Sequence, residues 1–395
     1  MKRWGAAGAL AALLAPASAW ALFDDKAEVW AAENVTHDSN VMRISKDLDP
    51  ATLGATQRDD MIYTTTVGAN GQGTFSQQRV NGEITWFHSD YKYFNDFDFN
   101  GYSGRINWDW VLNPAASGTL GYTDARSLAN FSNIQVRIPD VVTTRAAYAT
   151  GLWNVTPRWR ANGELHAEEN RHDAEIRKIN DIDLATALAG VSYVTPREDS
   201  IGAYGHVEHG RSPSDADLNG IPFDNSYQQH GFGALLTYIP TEHSRFEGRA
   251  EYMQRTYEQQ TSRNYSGPIG RLLYAWTPTP KFTLNALIQR DVGPPEDITA
   301  AFVLVTGGYV RPKWQITEKL TLTGNLEYEV WDYRGDPLGI DNFTHHQRLA
   351  GVSLGYRPAR RVLLQAGWNY EKRTSTLPLA DYVDNIIFVE GRVGF

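Results

Sequence analysis

The 395-residue chain contains no cysteine. That excludes a disulfide framework, a thiolate nucleophile and any cysteine-ligated metal. Beyond residue 21 it also lacks a run of 18 apolar residues, the length a membrane-spanning helix needs. Positive charge is in short supply, with 37 Lys and Arg against 46 Asp and Glu and a net charge of -9, which argues against nucleic acid as a partner. Methionine is scarce, at 4 residues. Aromatic residues, in contrast, are abundant: 20 Tyr, 15 Phe and 12 Trp. The mean hydropathy of -0.44 is too low for a helical membrane protein but suits a barrel whose strands alternate lipid-facing and water-facing residues.

The first residues read as a secretory signal. Lys2 and Arg3 precede a short apolar stretch, Pro16 breaks it, and Ala19-Trp20-Ala21 offers a small-residue cleavage site. Residues 1–21 are therefore expected to be a signal peptide, with cleavage after Ala19 as the other choice, and 22–395 a single barrel. Removing two basic residues takes the net charge from -9 to -11.

Short turn signals punctuate the rest: Ser76-Gln77-Gln78, Asn113-Pro114, Thr156-Pro157, Thr195-Pro196, Pro240-Thr241, Thr277-Pro278, Thr317-Glu318 and Arg357-Pro358. They recur every 37 to 45 residues, room for two strands and one longer loop. The segments between them alternate with period two. Val362, Leu364, Ala366, Trp368 and Tyr370 interleave with Leu363, Gln365, Gly367, Asn369 and Glu371. Phe246, Gly248, Ala250 and Tyr252 interleave with Arg245, Glu247, Arg249 and Glu251. Every strand has an apolar face and no helix is left to cover it, so closure into a barrel in lipid is the expected solution. Eight short turns and nine longer connections, among them 37–58, 129–139, 209–223 and 335–342, predict an all-β, up-and-down antiparallel transmembrane barrel of 18 strands, with 16 as the alternative. Trp153, Trp159, Tyr274, Trp276, Trp314 and Tyr356 crowd the short turns, as an interfacial aromatic girdle does. Segments 27–35 and 386–395 should be hydrogen-bonded neighbours that close the ring.

The last strand carries a second signal. Ile387, Val389, Val393 and the terminal Phe395 form an amphipathic strand ending on an aromatic, the feature read by the barrel-assembly machinery. Outer-membrane lipids and that machinery are the expected partners.

A search for chemistry returns little. Glu168-Glu169 and Asp59-Asp60 are neighbours on strands or their ends, so their carboxylates diverge and cannot form an acid–base dyad. His345-His346 diverges likewise as a metal pair. His206 with Glu208, and Glu164 with His166 and Glu168, share a strand face, but a polar lumen wall produces that pattern routinely. Asp215, Asp217 and Asn219 resemble part of a calcium loop that lacks its final Glu. No catalytic residue, metal or cofactor is assigned, and an enzyme is not expected. The informative residues are the inward charges: Arg105, Asp109, Arg160, Glu164, Glu168, Arg245, Glu247, Arg249, Glu251, Glu327, Glu371, Glu390 and Arg392. Both signs are present, which suits a neutral or weakly charged hydrophilic cargo better than a one-sign ladder would.

The stretches "HDSNVMR" at 37–43, "RDDMIYTTTVGANGQGTFSQQR" at 58–79 and "ITWFHSDYKYFNDFDFNGYSGRINWDW" at 84–110 resemble the EpsL type of outer-membrane barrel, associated with exosortase (PEP-CTERM) systems and exopolysaccharide clusters. The resemblance implies a polymer conduit working with a periplasmic polysaccharide-export protein, with exopolysaccharide as cargo. The alternatives from the residues alone are a general or substrate-specific diffusion porin and a structural barrel that anchors surface polysaccharide. The loop 37–58 is long enough to fold inward, but its charge and early position weigh against a constriction role.

Overall fold

The computed structural model describes residues 26–129, 131, 137–213, 216–218, 221–258, 264–293, 302–334 and 343–395; the expected signal peptide lies outside them. The first half of the barrel is β1 (Lys26–Asp38), β2 (Asp60–Phe75), β3 (Gln78–Tyr91), β4 (Phe99–Asn113), β5 (Ala116–Leu128), β6 (Val141–Asn154), β7 (Trp159–His172), β8 (Ile182–Val194) and β9 (Ser200–Arg211). A small hairpin, β10 (Ala216–Leu218) and β11 (Ile221–Phe223), stands apart from the wall. The second half is β12 (Tyr227–Thr241), β13 (Ser244–Tyr257), β14 (Tyr265–Thr279), β15 (Phe282–Gly293), β16 (Phe302–Gln315), β17 (Leu320–Arg334), β18 (Phe343–Ala359), β19 (Val362–Ser375) and β20 (Tyr382–Gly394).

Each wall strand pairs antiparallel with the next, and β1 pairs with β20, so the 18 strands close without an edge. The closing register runs from Trp30 opposite Gly394 to Asp38 opposite Ile386. That is the predicted seam, moved three residues up β1, and the backbone N–H of Phe395 adds a bond to the Val29 carbonyl at 2.7 Å.

Eight short turns join strands at one end, which in outer-membrane barrels faces the periplasm. Threonine hydroxyls tie several of them: the Thr156 side chain accepts from the Trp159 N–H at 3.0 Å and Thr317 from Leu320 at 3.0 Å. Three proline-marked turns close two residues later than their sequence signal, at 242–243, 280–281 and 360–361. In each, the proline falls within a register shift just before the turn, between Tyr238 and Thr241, Trp276 and Thr279, and Tyr356 and Ala359. A proline has no N–H for the ladder, so it occupies the irregularity rather than the turn itself.

The two faces of the wall are distinguishable without any ligand. Ile84, Trp86, Leu165, Val207, Phe232, Ile288, Leu326 and Val389 form one exposed apolar face. Side chains on the other face bond across an intervening strand, which only a concave surface permits. Tyr148 on β6 donates to Asn107 on β4 at 2.5 Å, and His206 on β9 meets Glu251 on β13 at 3.0 Å. Glycines on the strand between make room: a Cβ at Gly121 would stand 2.2 Å from the Tyr148 ring, and one at Gly231 2.6 Å from the His206 ring. The lipid face ends at the short turns in an aromatic ring, with Trp159 on Tyr193 at 5.5 Å, Phe246 on Tyr274 at 4.5 Å and Trp276 on Phe282 at 6.0 Å. Trp153, Trp314 and Tyr356 continue it. The chain is thus a transmembrane antiparallel β-barrel of the outer-membrane type.

Candidate functional site: the charged bore and its filled mouth

Strand alternation decides what lines the bore. The register puts all thirteen charges singled out above on the concave face. Most find partners there. Asp109 holds Arg79 at 2.8 Å, Arg105 reaches Glu83 at 3.4 Å, Arg311 reaches Glu327 at 3.2 Å, and Arg392 reaches Glu28 at 3.3 Å while lying 3.9 Å over the Trp30 ring. Arg245 pairs with Glu247 on its own strand at 2.6 Å, and Glu168 with His166 at 3.2 Å. Arg160 lies 3.6 Å from Glu198, a turn residue, and Arg249 lies 3.9 Å from Asp291 on β15, across β14. Glu251 takes His206, and Glu371 accepts from the Tyr382 hydroxyl. Glu164 and Glu390 share the face without a described ion pair. Ile387, Val389, Val393 and Phe395 point the other way, toward lipid, 44 to 57% exposed. Of the histidine pair, His345 turns inward and His346 outward. Asp215 and Asn219 lie outside the described residues.

On β9–β13 the charges join a longer network. The Arg255 guanidinium is buried, donates to Gln229 at 2.8 Å, lies 4.1 Å over the Tyr227 ring and stands 3.6 Å from Glu208. Glu208 also accepts from Tyr227 at 2.8 Å and from Thr186 at 3.0 Å. Gln229 in turn bonds His206 at 3.0 Å. Period-two counting extended along β13 would have reached Arg255, while Glu208 shares its strand face with His206 as the sequence indicated.

The end with long connections is filled. Above Arg290, β15 no longer pairs with β14, although β14 continues up to Tyr265. Val292, Phe302 and Leu304 sit in rows that face outward lower down, yet they are buried, at 7, 3 and 2% exposure. They pack in one cluster with Met253, Tyr257, Tyr265 and Ile269 of the concave wall; the rings of Phe302 and Tyr265 are 5.4 Å apart. The β15–β16 tip therefore leans into the bore across β14. Pro268, just above the last β14–β15 pair, removes a donor from the ladder where β15 departs. The tip's other face packs Val303 against Tyr333 and Phe343 of β17 and β18.

Loop 39–59, six strands round the ring from that tip, also folds inward, as its length allowed. Arg43, with φ of 53°, reaches Asp38 at 2.7 Å, Asp384 at 3.1 Å and Glu371 at 3.6 Å. Burial disfavours its charge, but those three carboxylates outweigh the burial and raise its pKa, so the guanidinium stays protonated. Asn40 donates to the carbonyls of Ile44 and Val383 at 2.9 and 3.1 Å, and Ser45 to Asp381 at 2.9 Å. Val41, Met42 and Ile44 then pack with Phe94 and Phe97 from the next long connection, and Phe131 joins them. Arg137 clasps Asp96 at 2.7 Å, and that hydrogen bond holds the Asp96 carboxyl below its usual range. No sequence pattern pointed to Arg43, because its partners come from both ends of the chain.

A family model described as "Putative beta-barrel porin 2" matches residues 242–395, less than half of the chain. The chain is an outer-membrane β-barrel whose C-terminal part matches that model. Among solved structures it is similar to a BenF-like porin from Pseudomonas fluorescens Pf-5, at 9% identity and a TM-score of 0.48, covering 94% of this chain and 99% of that one. It is similar to Pseudomonas aeruginosa OccK9 (OpdG) at 10% identity and 0.47, covering 94% and 99%. It is also similar to Pseudomonas aeruginosa OccK2 (OpdF), solved in complex with glucuronate, at 12% and 0.47, covering 94% and 98%. No curated protein matches the chain.

Proposed function

We propose that this barrel is a diffusion channel for small hydrophilic solutes. One observation carries the reading: the β15–β16 tip and loop 39–59 enter the mouth from two separate sectors of the ring and are anchored there by apolar packing and buried ion pairs. An aperture narrowed in this way suits single sugars or small acids more than a continuous polymer. The mixed-sign, largely paired charges below it give a wetted wall without a strong bias for one ion sign. The family model over 242–395 agrees with a porin.

The second reading, polysaccharide export, rests on the EpsL resemblance and requires both mouth elements to swing aside. Liposome swelling with saccharides of increasing length separates the two. Rapid entry of mono- and disaccharides, with a steep fall for longer chains, is expected. Equal rates for a monosaccharide and a long soluble glycan would overturn the porin reading in favour of a conduit, and exclusion of every solute would overturn both.

A further inference from the structure

The lipid face of β17–β20 carries a row that its surroundings do not neutralise. Register places Tyr328, Arg348, Lys372 and Val383 side by side on four adjacent strands. Arg348 and Lys372 are directly opposite each other, where like charges destabilise a sheet. Among the described residues neither has an ion pair; Arg348 has only the Tyr328 ring, 5.8 Å away. His346, one row higher, bonds the Tyr328 hydroxyl at 2.9 Å through Nδ1. On β5–β9 the lipid-face charges at the same end behave differently. There Asp124, Arg145, Glu169, Arg171 and Asp183 alternate in sign, with contacts of 2.5 to 3.4 Å.

Height identifies what meets this row. Below Arg348 the outward residues of β18 are Ala350, Val352, Leu354 and the girdle residue Tyr356. Eight residues of a strand tilted about 40° rise roughly 20 Å, close to the ~25 Å apolar band of such barrels. The two cations therefore lie where the outer leaflet's headgroups begin. We propose that Arg348 and Lys372 bind a phosphate group of a phosphorylated glycolipid in that leaflet. A guanidinium supplies a two-pronged donor and an ammonium a point charge to one phosphate, which relieves their mutual repulsion. Acyl chains would lie on Val352, Leu354 and Trp368 below, all exposed on this face.

The test uses the purified full chain in detergent, with native mass spectrometry and heat-modifiable gel migration as readouts. Hexa-acylated, bisphosphorylated lipid A should bind at least tenfold more tightly than its dephosphorylated form. The Arg348→Gln/Lys372→Gln double variant should lose that tenfold preference, and Arg290→Gln, a lone lipid-face cation elsewhere, should keep it. Equal binding of both lipids by the wild type, or an unaltered preference in the double variant, overturns the proposal. Protection by millimolar inorganic phosphate alone, or by phosphatidylglycerol as well as by lipid A, also overturns it, because the site would then not select a glycolipid. If the double variant does not fold, the two-lipid comparison on the wild type still decides.

Discussion

The two halves of this barrel are built on different principles. At the short-turn end the wall is a regular ladder, its lumen charges meet neighbours at the surface of an open bore, and most are a third or more exposed. At the other end buried residues from long connections and strand tips gather into three apolar clusters, and charges such as Asp384 and Arg255 are almost sealed from solvent. A paired charge in a wetted bore contributes little, about 0–1 kcal/mol, whereas losing one partner of a sealed pair costs about 3–5 kcal/mol. Stability and gating should therefore be sensitive to mutation at the mouth and tolerant below it.

The strongest test of that contrast is Arg43→Ala. Three carboxylates lose their common cation, and urea unfolding in lipid vesicles should show a loss of about 3–5 kcal/mol. The freed loop should also raise single-channel conductance. Leu304→Ala comes next, at about 2–5 kcal/mol from the lost packing of the inward tip, with a wider and noisier channel in the same recordings. Unchanged conductance in both variants would mean that the mouth elements do not set the aperture. Gly121→Val crosses the boundary between the halves. Its side chain must displace Tyr148 from Asn107, for about 1–3 kcal/mol, and a crystal structure or cross-strand nuclear Overhauser contacts would show the ring moved.

Arg137→Ala should cost at most about 1 kcal/mol, because the pair with Asp96 is partly exposed. Its pH signature is more telling than its size. The Asp96 carboxyl is held below its unfolded value, so the clasp is fully present above that value and is lost as pH falls through the folded one. Protection factors at 92–98, taken relative to the intrinsic exchange rate at each pH, should fall on going from about pH 6 to about pH 3 in the wild type and be low throughout in the variant. Smallest of all, Arg79→Ala in the open half should change unfolding by no more than about 0.5 kcal/mol. A loss of several kcal/mol there would erase the distinction between the halves.

Much of the wall was legible in advance. Thr156-Pro157 and Thr317-Glu318 mark turns where the chain does turn, Trp153 and Trp276 sit in the girdle, and Arg105, Glu247 and Glu327 share the concave face with their predicted companions. These features depend on residues two apart or on a turn a few residues long. The proline turns were displaced by two residues because their signal records a missing N–H, which a bulge accommodates as well as a turn does.

The sequence by itself determined that alternating faces without covering helices must close into a ring, and which residues face each side of it. Only the tertiary structure decided how far that ring stays open. Arg43 finds Asp38, Glu371 and Asp384, and Phe302 finds Tyr265, because ring closure brings the chain's two ends together and β15 parts from β14. Alternation is a property of neighbours along one strand. A filled mouth depends on packing between segments up to hundreds of residues apart, and no local pattern records it.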